Sequence, residues 1–262
     1  MQLGIISDIH EDITNLKTAL GRLNELRVDE IVCLGDIVGY NVERLPFWQD
    51  RDAKACINLV KNSCTKVIPG NHDLFAIRKI PAYRGGFRFT KNWYDLDFYI
   101  RKQKGEDKVW LYEETELSAL PGAAGKAYLD SLPETESLIT KNGKLLFTHY
   151  IYPDVTGSEA GFAENREAFQ EHLMWMKSKG FDLSFSGHGH IEGLAVADGK
   201  SYHEYDFNQV VKISMGSAVV CPAIARGKKT PGFIIFDTRS LKATAHPVEV
   251  GPSNISVVEQ SL

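Results

Sequence analysis

Residue types that can hold metal ions recur directly after apolar runs. They are Asp8 and His10 in SDIH, Asp36 in LGDIVGY, Asn71 beside His72 in PGNHD, His149 in FTHY, and His188 and His190 in SGHGH. The set offers oxygen and nitrogen donors and no cysteine, which suits Mn²⁺, Fe²⁺, Zn²⁺, Ni²⁺ or Co²⁺ better than calcium or a thiolate zinc site. In Asp-x-His, alternate residues of an extended segment face the same way, so both side chains can reach one ion. His-Gly-His repeats that spacing, with a glycine that lets the backbone bend between ligands. Taken singly, Asp8, Asp36 and Asn71 are ordinary turn or cap residues, and His149 is an ordinary hydrogen-bonded histidine. Brought to one rim, they make a metal site.

That rim depends on the elements in front of each motif. QLGIIS reads as a strand, Ile13 to Leu26 has helical apolar spacing, DEIVCLGD is a second strand, Ala53 to Lys61 a second helix, and TKVIPGNHD a third strand ending in a polar loop. A helix over Ala123 to Leu132 precedes the strand GKLLFTH. The last third is almost all short strands divided by turn residues: FDLSFSGHGH, IEGLAVAD, KSYHEYDF, QVVKISMGS, GFIIFD and LKATAHPVEV. Strands alternating with helices predict an α/β core whose polar groups gather where strands end. Residues 78–110 break the pattern with a stretch rich in aromatics and positive charge, from Tyr83 to Tyr99. It is expected to be an insertion or cap, serving as a substrate lid, a dimer contact or simply a small core of its own.

The 262 residues, 43% hydrophobic and 24% charged, fit one globular domain spanning residues 1–262. A formal charge of −4 gives no strong nucleic-acid signal. No stretch is long and apolar enough for a membrane span or a leader, so a cytoplasmic protein is expected. Cys33, Cys56, Cys64 and Cys221 form no CxxC pair and read as reduced structural thiols. His172, His203 and His246 lack motifs and read as surface or packing histidines.

The order D-x-H, GD, GNHD, H, GHxH from Asp8 to His190 resembles the calcineurin-like metallophosphoesterase superfamily. SDIHED, GDIVGYN, GNHDL and SMGSAVVCPAIAR followed by GFIIFD are similar, more loosely, to its small bacterial and archaeal phosphodiesterase branch. The resemblance implies a four-layer αββα sandwich of two mixed sheets flanked by helices, and two divalent ions, Mn²⁺ first, with Fe, Zn, Ni or Co as alternatives. It implies that Asp8, His10 and His190 hold one ion, Asn71, His149 and His188 the other, and that Asp36 bridges them. A hydroxide between the ions would attack phosphorus in line, His72 would assist the leaving oxygen, and Asp73 would orient His72. Arg84, Arg88 and Arg226 are candidate phosphate contacts.

The substrate implied is a small phosphodiester or nucleotide, since GDIVGY lacks the arginine of GD-x-V-D-R-G and GNHD stands where the protein phosphatases and dinucleotide tetraphosphatases carry GNHE. The alternatives are a phosphomonoesterase or dinucleotide polyphosphate hydrolase, a dinuclear hydrolase of an amide or lactone, and a metal-free scaffold of the same fold. A homo-oligomer is compatible with the sequence. Glu11, Asp12, Asn41, Gly189 and the spacing of Pro222 and Arg226 depart from the branch pattern, which bears on the substrate. Gly187 and Gly189 read as space left for metals and phosphate.

Overall fold

The computed structural model describes residues 1–248, so the end of the run LKATAHPVEV and the last part of the expected domain lie outside the described residues. Short apolar runs become strands and the amphipathic stretches between them become helices. The chain opens with β1 (Gln2–Ile6), α1 (Ile13–Glu25), β2 (Glu30–Cys33) and the two-residue β3 (Tyr40–Asn41). It continues through α2 (Ala53–Ser63), β4 (Lys66–Val67), α3 (Asn71–Ala76), α4 (Phe98–Gly105), β5 (Glu116–Leu117) and α5 (Gly122–Ser131). A second half follows: β6 (Thr135–Thr140), β7 (Gly143–Thr148), α6 (Arg166–Ser178), β8 (Leu183–Ile191), β9 (Leu194–Ala197) and β10 (Tyr202–Tyr205). It closes with β11 (Val210–Lys212), β12 (Ser217–Pro222), β13 (Gly232–Asp237) and β14 (Lys242–Pro247).

Two six-stranded sheets result, in the orders β11-β14-β13-β1-β2-β4 and β10-β9-β12-β8-β7-β6. Each mixes parallel with antiparallel pairs. β1, β2 and β4 run parallel in the first sheet, as do β7, β8 and β12 in the second. Between the sheets lie Leu3, Ile5, Phe147, Phe185 and Phe236, all with zero exposure. The outer face of the first sheet is covered by α1, α2 and α5 through Leu16, Leu23, Ile57, Val60 and Leu129. The outer face of the second is covered by α6 through Phe169 against Ala195, Ala197 and Ala218. The architecture is therefore the four-layer αββα sandwich. Sheet-on-sheet burial on this scale is what fixes strand ends in place, because sliding one strand by a residue would turn its whole apolar face outward.

The aromatic and basic segment leaves the sandwich after α3. Phe87, Phe89 and Trp93 pack edge to face with centroids 4.8 to 5.4 Å apart, a small core of the segment's own. The excursion also runs further than the expected 78–110, because β5 returns to pair antiparallel with β3, Tyr40 opposite Leu117. Among the described residues no helix is long and apolar enough to cross a membrane, and all four cysteines are free.

Candidate metal centre and cleft

Parallel strands of both sheets end on one rim, where an open α/β sheet places its ligand groups. The first sheet delivers Asp8 and His10 after β1, Asp36 after β2, and Asn71 and His72 after β4; the second delivers His149 after β7 and His188 and His190 at the end of β8. Asp8 and Asp36 are buried, as are His10, Asn71, His149 and His188, while the His190 side chain keeps 40% exposure.

Convergence does not come from extended alternation. Asp8, His10, Asp36, His188 and His190 all have left-handed backbone, with φ of 54°, 47°, 52°, 64° and 44°. Such residues cost of order 1–3 kcal/mol each and persist only where the surroundings dictate them. Here Ile9 and His10 N both donate to Asp36 O, and Asp8 N donates to Gly35 O at 3.0 Å, so two neighbouring loops lock each other. Two glycines are also required by close approach rather than by looseness. A side chain at Gly70 would collide with the Asp36 carboxylate, and one at Gly187 with Ser7 and the Asp8 carboxylate. Gly187 thus leaves room for Ser7 and Asp8, just after β1, whereas Gly189 lines the cleft.

Three clusters of donor atoms form: Asp8 with His10 and His190, His10 with Asp36 and His72, and Asp36 with His149 and His188. Asp36 is common to the last two. Its Oδ1 accepts from His72 N at 2.9 Å, while Oδ2 lies 3.1 Å from His149 Nε2 and 3.8 Å from His10 Nε2. Asn71 Oδ1 sits 3.0 Å from His149 Nε2 and 3.1 Å from His188 Nδ1.

The donor chemistry fits divalent cations. His10 Nδ1 donates to Gly39 O and His149 Nδ1 to Leu34 O, each at 2.7 Å, which leaves the Nε2 lone pairs aimed at the carboxylates and at neighbouring imidazoles. Carbonyl partners of this kind orient histidine ligands in metal sites. Lone pairs facing one another, such as His10 Nε2 and His190 Nε2 at 3.0 Å, are what a shared cation satisfies. Burial pushes His10 and His188 down to about 3, so both are neutral, as ligation requires. Burial opposes charge on Asp8 and Asp36 too, but the facing histidines overcome it and hold both carboxyls below the usual range. The same attraction carries His149 up to about 10 against its burial; a cation held beside Asp36 would take the place of that proton.

His72 stands at the edge of this set. Its Nδ1 lies 2.7 Å from the Glu116 carboxylate, and its ring packs 4.3 Å from the Tyr112 ring. Asp73, expected to orient the imidazole, is engaged elsewhere: Oδ1 accepts from Ile37 and Val38 N and Oδ2 from Gly70 N, all at 3.0 Å. Its role is to tie α3 to the Asp36 loop, and burial beside Asp36 raises its carboxyl to about 7. Glu116 takes the orienting position instead. Tyr112 is the second unexpected neighbour, since its hydroxyl accepts a short hydrogen bond from Asn71 Nδ2 and so turns Asn71 Oδ1 toward the histidines. Both come from WLYEETEL, whose only sequence signal is an acidic run following aromatics.

The candidate phosphate contacts divide as well. Arg84 donates to Pro81 O, and neither it nor Arg88 lines the cleft. Arg226 forms a two-pronged ion pair with Asp12 at 2.9 Å and reaches Asp50 at 3.0 Å. Asp12 also caps α1 through Asn15 N. Glu11 holds Arg51 at 2.8 Å and accepts from Gly39 N. The departures at Glu11 and Asp12 therefore buttress the rim rather than face a ligand. His172 is a packing histidine: Nδ1 accepts from Tyr152 N and Nε2 pairs with Ser184 Oγ, each at 2.9 Å. Over the metal centre lies a cleft of about 590 Å³, floored by His10, Asp36, Asn71, His72, His188 and His190.

The calcineurin-like phosphoesterase family model matches residues 1–192. An uncharacterized protein of Methanocaldococcus jannaschii is 25% identical over 266 residues, which is 94% of this chain and 87% of that protein. A metallophosphoesterase from Sphaerobacter thermophilus shares the fold with a TM-score of 0.64 and 21% identity, over 96% of this chain and 89% of that one. A hypothetical protein from Pyrococcus horikoshii does so with a TM-score of 0.58 and 14% identity, over the same 96% and 89%.

Proposed function

The chain belongs to the calcineurin-like phosphoesterase family and is a metal-dependent phosphoric ester hydrolase, and we propose that it is a dinuclear phosphodiesterase acting on a small phosphodiester. The observation that carries the dinuclear reading is Asp36, whose Oδ2 faces His149 on one side and His10 on the other. In this reading Asp8, His10 and His190 hold one ion, Asn71, His149 and His188 hold the other, and Asp36 is shared. Bound there, two divalent cations supply an activated water and neutralise the phosphoryl oxygens.

The protein's own residues do the rest. His72, with Nδ1 on Glu116, presents Nε2 as the proton donor for the leaving oxygen. Tyr112 and Glu116 hold Asn71 and His72 in place. A diester is favoured because GDIVGY lacks the arginine of GD-x-V-D-R-G, and Arg51 and Arg226, the arginines next to the SDIHED segment, are engaged structurally by Glu11 and Asp12. Mn²⁺ is the metal we favour, and the four free cysteines suit a cytoplasmic setting.

Chelator-stripped protein should hydrolyse bis-p-nitrophenyl phosphate only after Mn²⁺ or a similar ion is restored, with two ions bound per chain at saturation. Activity retained by Asp36→Ala, or saturation at one ion, overturns the dinuclear reading. Faster turnover of p-nitrophenyl phosphate than of the diester replaces it with a monoesterase.

A further inference from the structure

The cleft is chemically lopsided. At the His188 end, Phe162 stacks on the imidazole with centroids 5.2 Å apart, and Trp110 lies 5.8 Å from Phe162. Phe162 is 46% exposed and, unlike the exposed Trp48 and Tyr99, lines the cleft. Trp110 carries a buried Nε1–H that has no hydrogen-bond partner. Their segments are laced together, with Trp110 N donating to Ser158 O at 3.2 Å and Ala160 N to Lys108 O at 2.9 Å.

The Asp8 end is basic. Ala225 N donates to Asp8 O at 2.9 Å, so the loop that follows starts beside Asp8 and carries Lys228 and Lys229 along the cleft. Arg44 adjoins it, for a Cβ at Gly227 would lie 3.9 Å from Arg44 O. Arg51 and Arg226 are held by carboxylates, but among the described residues no carboxylate pairs with Arg44, Lys228 or Lys229. A cleft of about 590 Å³ is far larger than one phosphate needs and within the range that holds a drug-sized ligand.

Resting on the phosphodiesterase reading, we infer that the cleft takes a nucleotide, its base on the Phe162–Trp110 shelf and a second phosphate toward Arg44, Lys228 and Lys229, with the scissile diester between them over Asp36. Every nucleobase offers a π face to such a shelf, and unpaired cations in a cleft select a second negative charge.

Three p-nitrophenyl esters with the same leaving group test this: those of methyl phosphate, of thymidine 5′-phosphate, and of thymidine 5′-phosphate bearing a 3′-phosphate. In the Mn²⁺-loaded protein the nucleoside should raise kcat/KM about tenfold over methyl, a value typical of one base stacked on an aromatic ring. The 3′-phosphate should add a further gain of about threefold to tenfold that falls with salt. Phe162→Ala should collapse the first ratio, and Lys228→Gln with Lys229→Gln the second. Isothermal titration of the metal-loaded protein with thymidine 3′,5′-bisphosphate reads the same contacts without turnover, and both variants should weaken it. Equal kcat/KM for all three esters overturns the inference while leaving the phosphodiesterase reading intact, as do ratios that survive in the variants. If no ester is hydrolysed, the phosphodiesterase reading fails, and absence of bisphosphate binding then overturns the inference as well.

Discussion

Replacing Glu116 by glutamine removes a charge from the partner of His72 while keeping its shape. Burial alone would push the His72 imidazole down, yet the Glu116 charge, the Asp36 charge and the Glu116 hydrogen bond outweigh it and carry the group up to about 9. In the proposed dinuclear enzyme the Asp36 charge would be taken up by the cations, which would leave Glu116 as the main support for the imidazolium. A hydrogen bond to a charged group is worth about 1.5–3 kcal/mol, and 1.36 kcal/mol moves a pKa by one. Glu116→Gln should therefore bring the alkaline limb of kcat/KM down by about one to two pH units. Bound cations lower that limb in both proteins, so the difference between them is the quantity to read. Because the proton goes to the leaving oxygen, the loss should grow with the basicity of the leaving group: small for p-nitrophenyl esters, about a hundredfold or more for alkyl esters. The metal-free protein provides a second reading. A histidine raised by its partner contributes stability fully below pH 6.5, and that contribution fades as pH rises through about 9. The variant should lose most stability at neutral and acid pH and converge on the parent above that range in urea unfolding. An unmoved limb, or an equal loss for good and poor leaving groups, would refute the assignment of His72 and Glu116 as acid and orienter.

Three further outcomes follow from the site's surroundings. Tyr112→Phe frees the Asn71 amide to turn, and should weaken one of the two bound ions by about 10–100-fold in a metal titration while the other is retained. Arg226→Ala leaves the Asp12 carboxylate buried without its partner and should cost about 1–3 kcal/mol in unfolding, with KM little changed if the guanidinium is structural. His172, which burial lowers to about 3, must charge on acid unfolding. Its contribution is complete above pH 6.5 and is lost as pH falls toward about 3, at a slope of about 1.4 kcal/mol per pH unit that His172→Gln should remove from acid titration of stability.

The metal rim was legible because each motif directly follows an apolar run, and apolar runs are what place strand ends. Asp8, Asp36 and His149 are ordinary residues singly and stand out only as a set, each at the end of an apolar run. The reason they converge was not legible: the left-handed backbone at Asp8 and His10 is imposed by hydrogen bonds to the Asp36 loop, a tertiary constraint that overrides the extended geometry the spacing suggests. Charge partners were equally hidden. Arg226 resembles a phosphate contact in sequence because Asp12 lies 214 residues away, and Asp73 resembles the partner of His72 because it is adjacent, whereas Glu116, 44 residues on, is the carboxylate that accepts from the imidazole. Arg84 and Arg88 drew attention by composition alone, and composition does not say which way a segment faces.

Tyr112 and Glu116 reach Asn71 and His72 from the same excursion whose Trp110 walls the cleft, so under the proposed reading one segment would contribute both to substrate choice and to the rate. Grafting a foreign cap between α3 and α5 would discard the grip on Asn71 and His72 along with the shelf, unless the graft brought a tyrosine and a carboxylate of its own. New specificity on this scaffold is more accessible through single changes at Phe162, Lys228 or Lys229, which lie on other segments, than through exchange of the cap as a module.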